Sequence, residues 1–208
     1  MDLQTIEGSV NKLGQIAGIY YPLGKSNPRS YFYSDGNLVD MGNFASAGNE
    51  VWVRDLNDLG QAVGTVGYSK GTRAFLYDDN KMVDLGSPFE GISFNYASGV
   101  NNAGQIVGST GRGSVPRATL WEDGEIYDLN DLVDNPGDIK LEWASSINEL
   151  GQIIAGYRFD ASSSQNLLLT PVDLPRPGTI TPVPEPSTLL IFVGLALGYA
   201  GRRHLRRR

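Results

Sequence analysis

Three arginines, Arg29, Arg73 and Arg117, each open an aromatic or apolar run that closes on an aspartate, Asp40, Asp84 and Asp128. A ring of guanidiniums could hold an anion. The in-phase aspartates point instead to ion pairs inside each repeat. Asp131, Asp134 and Asp138 could offer oxygens to calcium, which takes roughly six to eight of them. Their spacing follows no EF-hand loop, and Asn135-Pro136-Gly137 reads as a turn. Tyr31, Trp52, Tyr77, Tyr96, Trp121 and Trp143 could stack on sugar rings, but most recur at matched positions and are expected in the core. Glu50, Glu90 and Glu142 precede the first strand of three repeats, in phase, which favours a structural role. Asp78-Asp79 reads as a hairpin tip. Two carboxylates outside the repeat phase in one cleft would be needed for glycoside hydrolysis.

The rest of the inventory narrows the chemistry. The 208 residues contain no Cys, and the one His is His204. Thiolate nucleophiles, Cys metal sites and a Ser-His-Asp triad are therefore excluded from the body. No catalytic, cofactor-binding or metal-ligating residue is expected. Five of the 17 basic residues, Arg202, Arg203, Arg206, Arg207 and Arg208, lie in the last seven positions. Residues 1–201 thus carry 12 basic against 23 acidic side chains, a net −11, and the end carries +5. So acidic a body is a poor nucleic-acid binder, since phosphate contacts need clustered Lys and Arg.

The elements that must position these residues are repeats. Asn-x-x-Gly-Gln occurs at Asn11–Gln15, Asn57–Gln61, Asn101–Gln105 and Asn148–Gln152, its Gly spaced by 46, 44 and 47. Such a period denotes an array of supersecondary units. Each unit reads as four short strands. The first alternates, as in Val51-Trp52-Val53-Arg54-Asp55-Leu56. Asn-x-x-Gly is a turn, with Gln expected to bond backbone at the bend. The second strand runs Gln61 to Val66, with Ile106-Val107 and Ile153-Ile154 at matching places. The third is the aromatic run. Asp35-Gly36, Asp79-Asn80 and Asp123-Gly124 are tight hairpin turns. The fourth is Leu38 to Met41, Met82 to Leu85 and Ile126 to Leu129. No helical period is sustained in the body.

Four strands in about 45 residues is the pattern of a propeller blade. The expected fold is all-β: a small four-unit propeller over residues 1–170, plus a C-terminal hydrophobic helix. A solenoid of four-stranded units is the alternative. Met1-Asp2-Leu3 resembles the closing Val83-Asp84-Leu85, so the N-terminus is expected to complete unit four and close the ring. The turn motif, Arg73-Ala74-Phe75-Leu76-Tyr77 and Val83-Asp84-Leu85-Gly86 resemble HAF repeats of bacterial extracellular proteins. That resemblance implies a secreted or surface protein and no catalytic residue.

The C-terminal part reads differently. Residues 171–182 are a Pro-rich linker. Val183-Pro184-Glu185-Pro186-Ser187 follows, then an uncharged apolar span expected as a membrane helix over 188–201, then the Arg cluster. This order, at the extreme C-terminus, resembles the PEP-CTERM sorting signal over residues 182–208. The resemblance implies recognition at Pro184, Glu185 and Pro186 by exosortase, removal of the tag, and transfer to the cell surface or exopolysaccharide of a Gram-negative bacterium. The span is 14 residues, about 21 Å as a helix at about 1.5 Å per residue, short of the roughly 30 Å hydrocarbon core. It would depend on snorkelling Arg side chains. Gly194, Gly198 and Gly201 leave a small-residue ridge along it. The Arg cluster, Arg202, Arg203, Arg206, Arg207 and Arg208, acts as a basic stop signal that keeps the end cytoplasmic. The precursor would sit in the inner membrane with its body outside. Export needs a signal peptide, and Met1-Asp2-Leu3-Gln4 offers neither a basic n-region nor an apolar h-region. An internal Met read as the start is the expected cause. The expected function is an exported, non-enzymatic structural or binding protein; the alternative is a glycan-active enzyme on the same scaffold.

Overall fold

The computed structural model describes residues 4–171, except 22–23, 25–27, 43–49, 69–70, 90–93, 113–114, 134–138 and 161–162, together with residues 193–195. The described chain is all-β apart from one helical turn. Unit one is the antiparallel sheet β1(Gln4–Val10), β2(Ile16–Tyr21), β3(Arg29–Ser34) and β4(Asn37–Asp40), in that spatial order. Unit two repeats it with β5(Val51–Leu56), β6(Ala62–Tyr68), β7(Gly71–Asp78) and β8(Lys81–Asp84). Unit three has β9(Phe94–Val100), β10(Ile106–Arg112), β11(Val115–Glu122) and β12(Glu125–Asp128), then the helical turn α1(Leu129–Leu132). Unit four has β13(Trp143–Ile147), β14(Ile153–Arg158) and β15(Ser164–Pro171), with β16(Val193–Leu195) as its fourth strand. A single parallel bridge, Thr72 to Phe94, links the sheets of units two and three.

The turn chemistry acts as read. Asp35-Gly36, Asp79-Asn80 and Asp123-Gly124 all take positive φ, the two-residue hairpin geometry that matches strand twist. The glycine after the second-strand apolar pair has a steric cause. The first strands of units two to four carry a bulge opposite the second strand. There a Cβ on Gly64 or Gly108 would run into the carbonyl oxygen of Trp52 or Tyr96.

Consecutive units pack face to face, and the core lies in the layers between them. Val51, Ala62, Val66, Phe75 and Tyr77 of unit two meet Ala17, Ile19 and Met41 of unit one. The opposite face of unit two, with Val63 and Ala74, meets Ala97, Ile106 and Trp121 of unit three. Val107, Ala118 and Leu120 of unit three meet Ala144, Ile153, Ala155 and Leu169 of unit four. First strands neighbour first strands: β1 lies beside β5, β5 beside β9, and β9 beside β13. Among the described residues, units one and four share no such packed face, and no sheet closes on itself. Residues 1–3, expected as a closing strand, lie outside the described residues.

Three elements differ from the sequence reading. The fourth strands begin and end one residue earlier than expected, at Asn37–Asp40, Lys81–Asp84 and Glu125–Asp128. In unit three the chain then turns helical: Asp128 caps α1 by accepting from Asn130 N, and Asn130 stands where units one and two have Gly42 and Gly86 at positive φ. Residues 193–195, inside the span expected as a membrane helix, form β16, parallel to β15. Among the described residues no hairpin strand follows β15 at Pro171, and β16 pairs with an outer edge that would otherwise leave backbone groups unpaired. The rest of the expected helix lies outside the described residues. No helix among the described residues is long and apolar enough to cross a membrane.

Of the aromatics expected in the core, Tyr31, Tyr77 and Trp121 are buried, Trp52 and Trp143 are half-buried, and Tyr96 is exposed. Tyr96 points outward because it follows the alternation of β9, where Asn95 and Ala97 take the buried side.

Candidate functional site

The repeated Asn builds a connection that turn chemistry alone does not require. Its side-chain oxygen accepts from two backbone N–H groups of its own turn, as Asn57 does from Leu59 and Gln61. One amide hydrogen goes to the turn Gln: Asn57 Nδ2 donates to Gln61 Oε1 at 2.7 Å. The other crosses to the next unit. Asn11 Nδ2 donates to Asn57 O at 2.9 Å, Asn57 Nδ2 to Asn101 O at 2.9 Å, and Asn101 Nδ2 to Asn148 O at 3.1 Å. The next position adds a second ladder. Lys12 N donates to Asp58 Oδ1, Asp58 N to Asn102 Oδ1, and Asn102 N to Glu149 Oε2. The signal was in the sequence: Asp would serve the turn, yet all four copies carry Asn, and only Asn can donate onward.

The turn Gln is expected to bond backbone at the bend; its side-chain amide instead donates to the end of the third strand. Gln61 Nε2 donates to Asp78 Oδ2 and Gln105 Nε2 to Glu122 Oε1. Lys12 and Asp58 form an ion pair of 2.9 Å on the exposed rim of this ladder. Their hydrogen bond raises the Lys12 pKa and lowers that of Asp58, with Glu149 adding a smaller upward push on Lys12.

The arginines pair within their units. Arg29 lies 3.3 Å from Asp40, Arg73 2.5 Å from Asp84 and Arg117 2.6 Å from Asp128. Hydrogen bonding to these carboxylates raises the Arg73 and Arg117 pKa values. The same aspartates accept from the backbone two residues on, at Gly42, Gly86 and Asn130. Glu142 pairs with Arg158 at 3.3 Å, Glu50 supplies only its carbonyl, to Gly67 N, and Glu90 lies outside the described residues. Asp134 and Asp138 also lie outside them. Among the described residues no group of three or more carboxylate, His or Cys side chains could hold a metal.

A cavity of about 240 Å³ opens on unit three, where the segment leaving unit two crosses it. Thr110, Arg117, Thr119, Ile126, Asp131 and Phe89 are among the residues that line it. Sequence reasoning set Arg117 and Asp131 in separate groups and did not single out the two threonines. The signal available was the break from Arg73-Ala74-Phe75 to Arg117-Ala118-Thr119.

The sequence-predicted recognition residues Pro184, Glu185 and Pro186, and Arg202, Arg203, Arg206, Arg207 and Arg208, lie outside the described residues. A family model for the PEP-CTERM protein-sorting motif matches residues 182–208. The chain carries a PEP-CTERM sorting motif. The motif implies export, processing by exosortase and sorting to the cell surface. No curated protein matches the chain.

Solved structures that resemble the fold include the following two. TolB from Acinetobacter baumannii has a TM-score of 0.51 at 12% identity, over 80% of this chain and 41% of that one. A Mycobacterium tuberculosis puromycin-hydrolyzing peptidase has 0.53 at 9% identity, over 81% of this chain and 27% of that one. The chain thus spans less than half the length of either. At such identity the likeness concerns the fold alone.

Proposed function

We propose that the PEP-CTERM chain is an exported, non-enzymatic repeat protein whose body has a structural or binding role at the cell surface or in the exopolysaccharide matrix. The sorting motif at residues 182–208 is the observation that carries this reading. The body supports it: the repeated Asn, Gln, Arg and Asp side chains are engaged in joining strands and units. The HAF-repeat likeness of residues 1–170 points the same way.

The four units are blades of a small β-propeller-like array. Support comes from the stacking of first strand on first strand through all four units. In the precursor the apolar segment 188–201 lies in the inner membrane, with residues 193–195 unpaired from β15, until exosortase acts, and the Arg cluster keeps its end cytoplasmic.

A glycan-active enzyme would need a pair of out-of-phase carboxylates in one cleft. Only Asp131 in the unit-three cavity is out of phase, and Asp128 beside it is held by Arg117, so binding is favoured over hydrolysis. The experiment is localisation of the tagged chain in a PEP-CTERM-sorting bacterium. The wild type is expected in the surface fraction. Replacing Pro184, Glu185 and Pro186 together by Ala should leave it with the inner membrane. Equal surface display of both would overturn the reading.

A further inference from the structure

Unit three breaks the repeat at two positions on the face it turns toward unit two. One is the third-strand residue paired with the second-strand glycine or, in unit four, Ala155. Units one, two and four place Tyr31, Phe75 and Leu167 there; unit three places Thr119. The other is the second-strand residue paired with Arg29, Arg73, Arg117 or Gln165. Units one, two and four carry Tyr20, Val66 and Tyr157; unit three carries Thr110.

In unit one the two positions hold an edge-to-face pair of rings with centroids 6.2 Å apart. In unit two Val66 and Phe75 are both fully buried and fill the layer against unit one. Thr110 and Thr119 are almost fully buried as well, at 2% and 1% exposure, but they supply far less volume, and the 240 Å³ cavity lies over them.

Their chemistry indicates what the cavity takes. A hydroxyl has one proton and two lone pairs. Thr119 Oγ1 donates to the Arg117 carbonyl at 2.9 Å and lies 2.8 Å from Thr110 Oγ1. Thr110 must therefore donate to Thr119, and the pair presents lone pairs and no donor. Arg117 gives one N–H to Asp128 and has others in its fork. Asp131 is an exposed carboxylate placed here by α1, which has no counterpart among the described residues of the other units. The site thus offers acceptors, donors and the apolar side chains of Phe89 and Ile126. Two carboxylates against one guanidinium disfavour an anion, and with Asp128 taken up by Arg117 too few oxygens remain to hold a bare cation. Hydroxyl groups, which donate and accept at once, match both kinds of partner. Pockets for drug-sized ligands run to roughly 300–1,000 Å³, so this one suits a single ring.

We infer that the cavity between units two and three binds one neutral sugar ring of a saccharide. Arg117 donates to one hydroxyl, Asp131 and Thr110 accept from others, and Phe89 and Ile126 form the wall against the ring's C–H groups. This rests on the binding role proposed above and names its ligand class.

The test uses the full chain in a sugar-free detergent. Methyl glycosides of glucose, galactose and mannose at millimolar concentration are the probes, with inorganic phosphate and calcium chloride as charged controls, all read by ligand-observed NMR. At least one glycoside should bind and the charged controls should not. Thr110→Val with Thr119→Phe, which restores the unit-two filling, should abolish binding and raise the thermal midpoint. Asp131→Asn, on the surface, should weaken binding about tenfold, or about 1.4 kcal/mol, with the fold unchanged. Absence of binding by all three glycosides, preference for phosphate or calcium, or binding unaffected by either variant would overturn the inference. Such a failure leaves surface localisation untouched, whereas mislocalised protein that still binds a glycoside would count against the sorting reading alone.

Discussion

The side-chain amide of Asn57 donates to the backbone carbonyl of Asn101, 44 residues away, at 2.9 Å inside a buried turn. That bond is one of the ties between units two and three, and its counterparts at Asn11 and Asn101 cross the other boundaries. Asn57→Asp keeps the turn acceptor and removes both donated bonds, leaving a carboxylate facing two oxygens. The variant should lose about 2–3 kcal/mol, the cost of an unpaired buried polar group. Asn148→Asp is the control. Asn148 is exposed, and among the described residues its amide donates to Gln152 within its own turn, so it should lose less than about 1 kcal/mol. Urea midpoints of the two variants check the difference.

Gly108→Ala should destabilise by about 3 kcal/mol, at the upper end of overpacking costs, since the new Cβ meets the backbone of Tyr96 and Ala97. Gly36→Ala meets no atom within 4 Å and bears only its φ of 81°, a cost of about 1–2 kcal/mol. Thermal midpoints should rank wild type, G36A, G108A in descending order.

Arg73→Ala should cost less than about 1 kcal/mol, because more than half of the side chain is in water and exposed ion pairs contribute little. Asp84→Ala should cost about 1 kcal/mol more, since its other oxygen accepts from Gly86 N at 2.9 Å. A double-mutant cycle by urea denaturation separates the two roles.

The Lys12–Asp58 pair sets a pH dependence. The folded Asp58 pKa is depressed, so its contribution is present above the unfolded value of 3.8 and is lost as pH falls through the folded pKa. The Lys12 pKa is raised, so its contribution is present below the unfolded value of 10.5 and is lost as pH rises through the folded pKa. Asp58→Asn should flatten both limbs relative to wild type in thermal midpoints taken across pH. Added salt should act in the same direction, because both side chains are solvent-accessible.

The strands and hairpins were legible because their causes are local. Alternation along β5 and the Asp-Gly pairs specify conformation within a few residues. Three features were not legible, for non-local reasons. Asn57 reads as a turn residue until the neighbouring carbonyl of Asn101 is in place. The α1 turn arises where Asn130, bonded to the backbone of Leu141, takes the place of the positive-φ Gly42 and Gly86 of units one and two. Val193–Leu195 belong to an uncharged span whose composition suits a helix, yet the unpaired edge of β15 makes a strand of them. The unit-three cavity lay between these cases: Thr119 stands out once the four repeats are compared position by position, but the space beside it appears only when unit two packs against it.

The central claim is that residues 182–208 are an address removed during sorting. Intact-mass measurement of the protein recovered from the cell surface tests it most directly. The account predicts a mature species cut near Pro184–Pro186 and lacking every residue of the Arg cluster. A surface protein whose mass still includes Arg208 would contradict it.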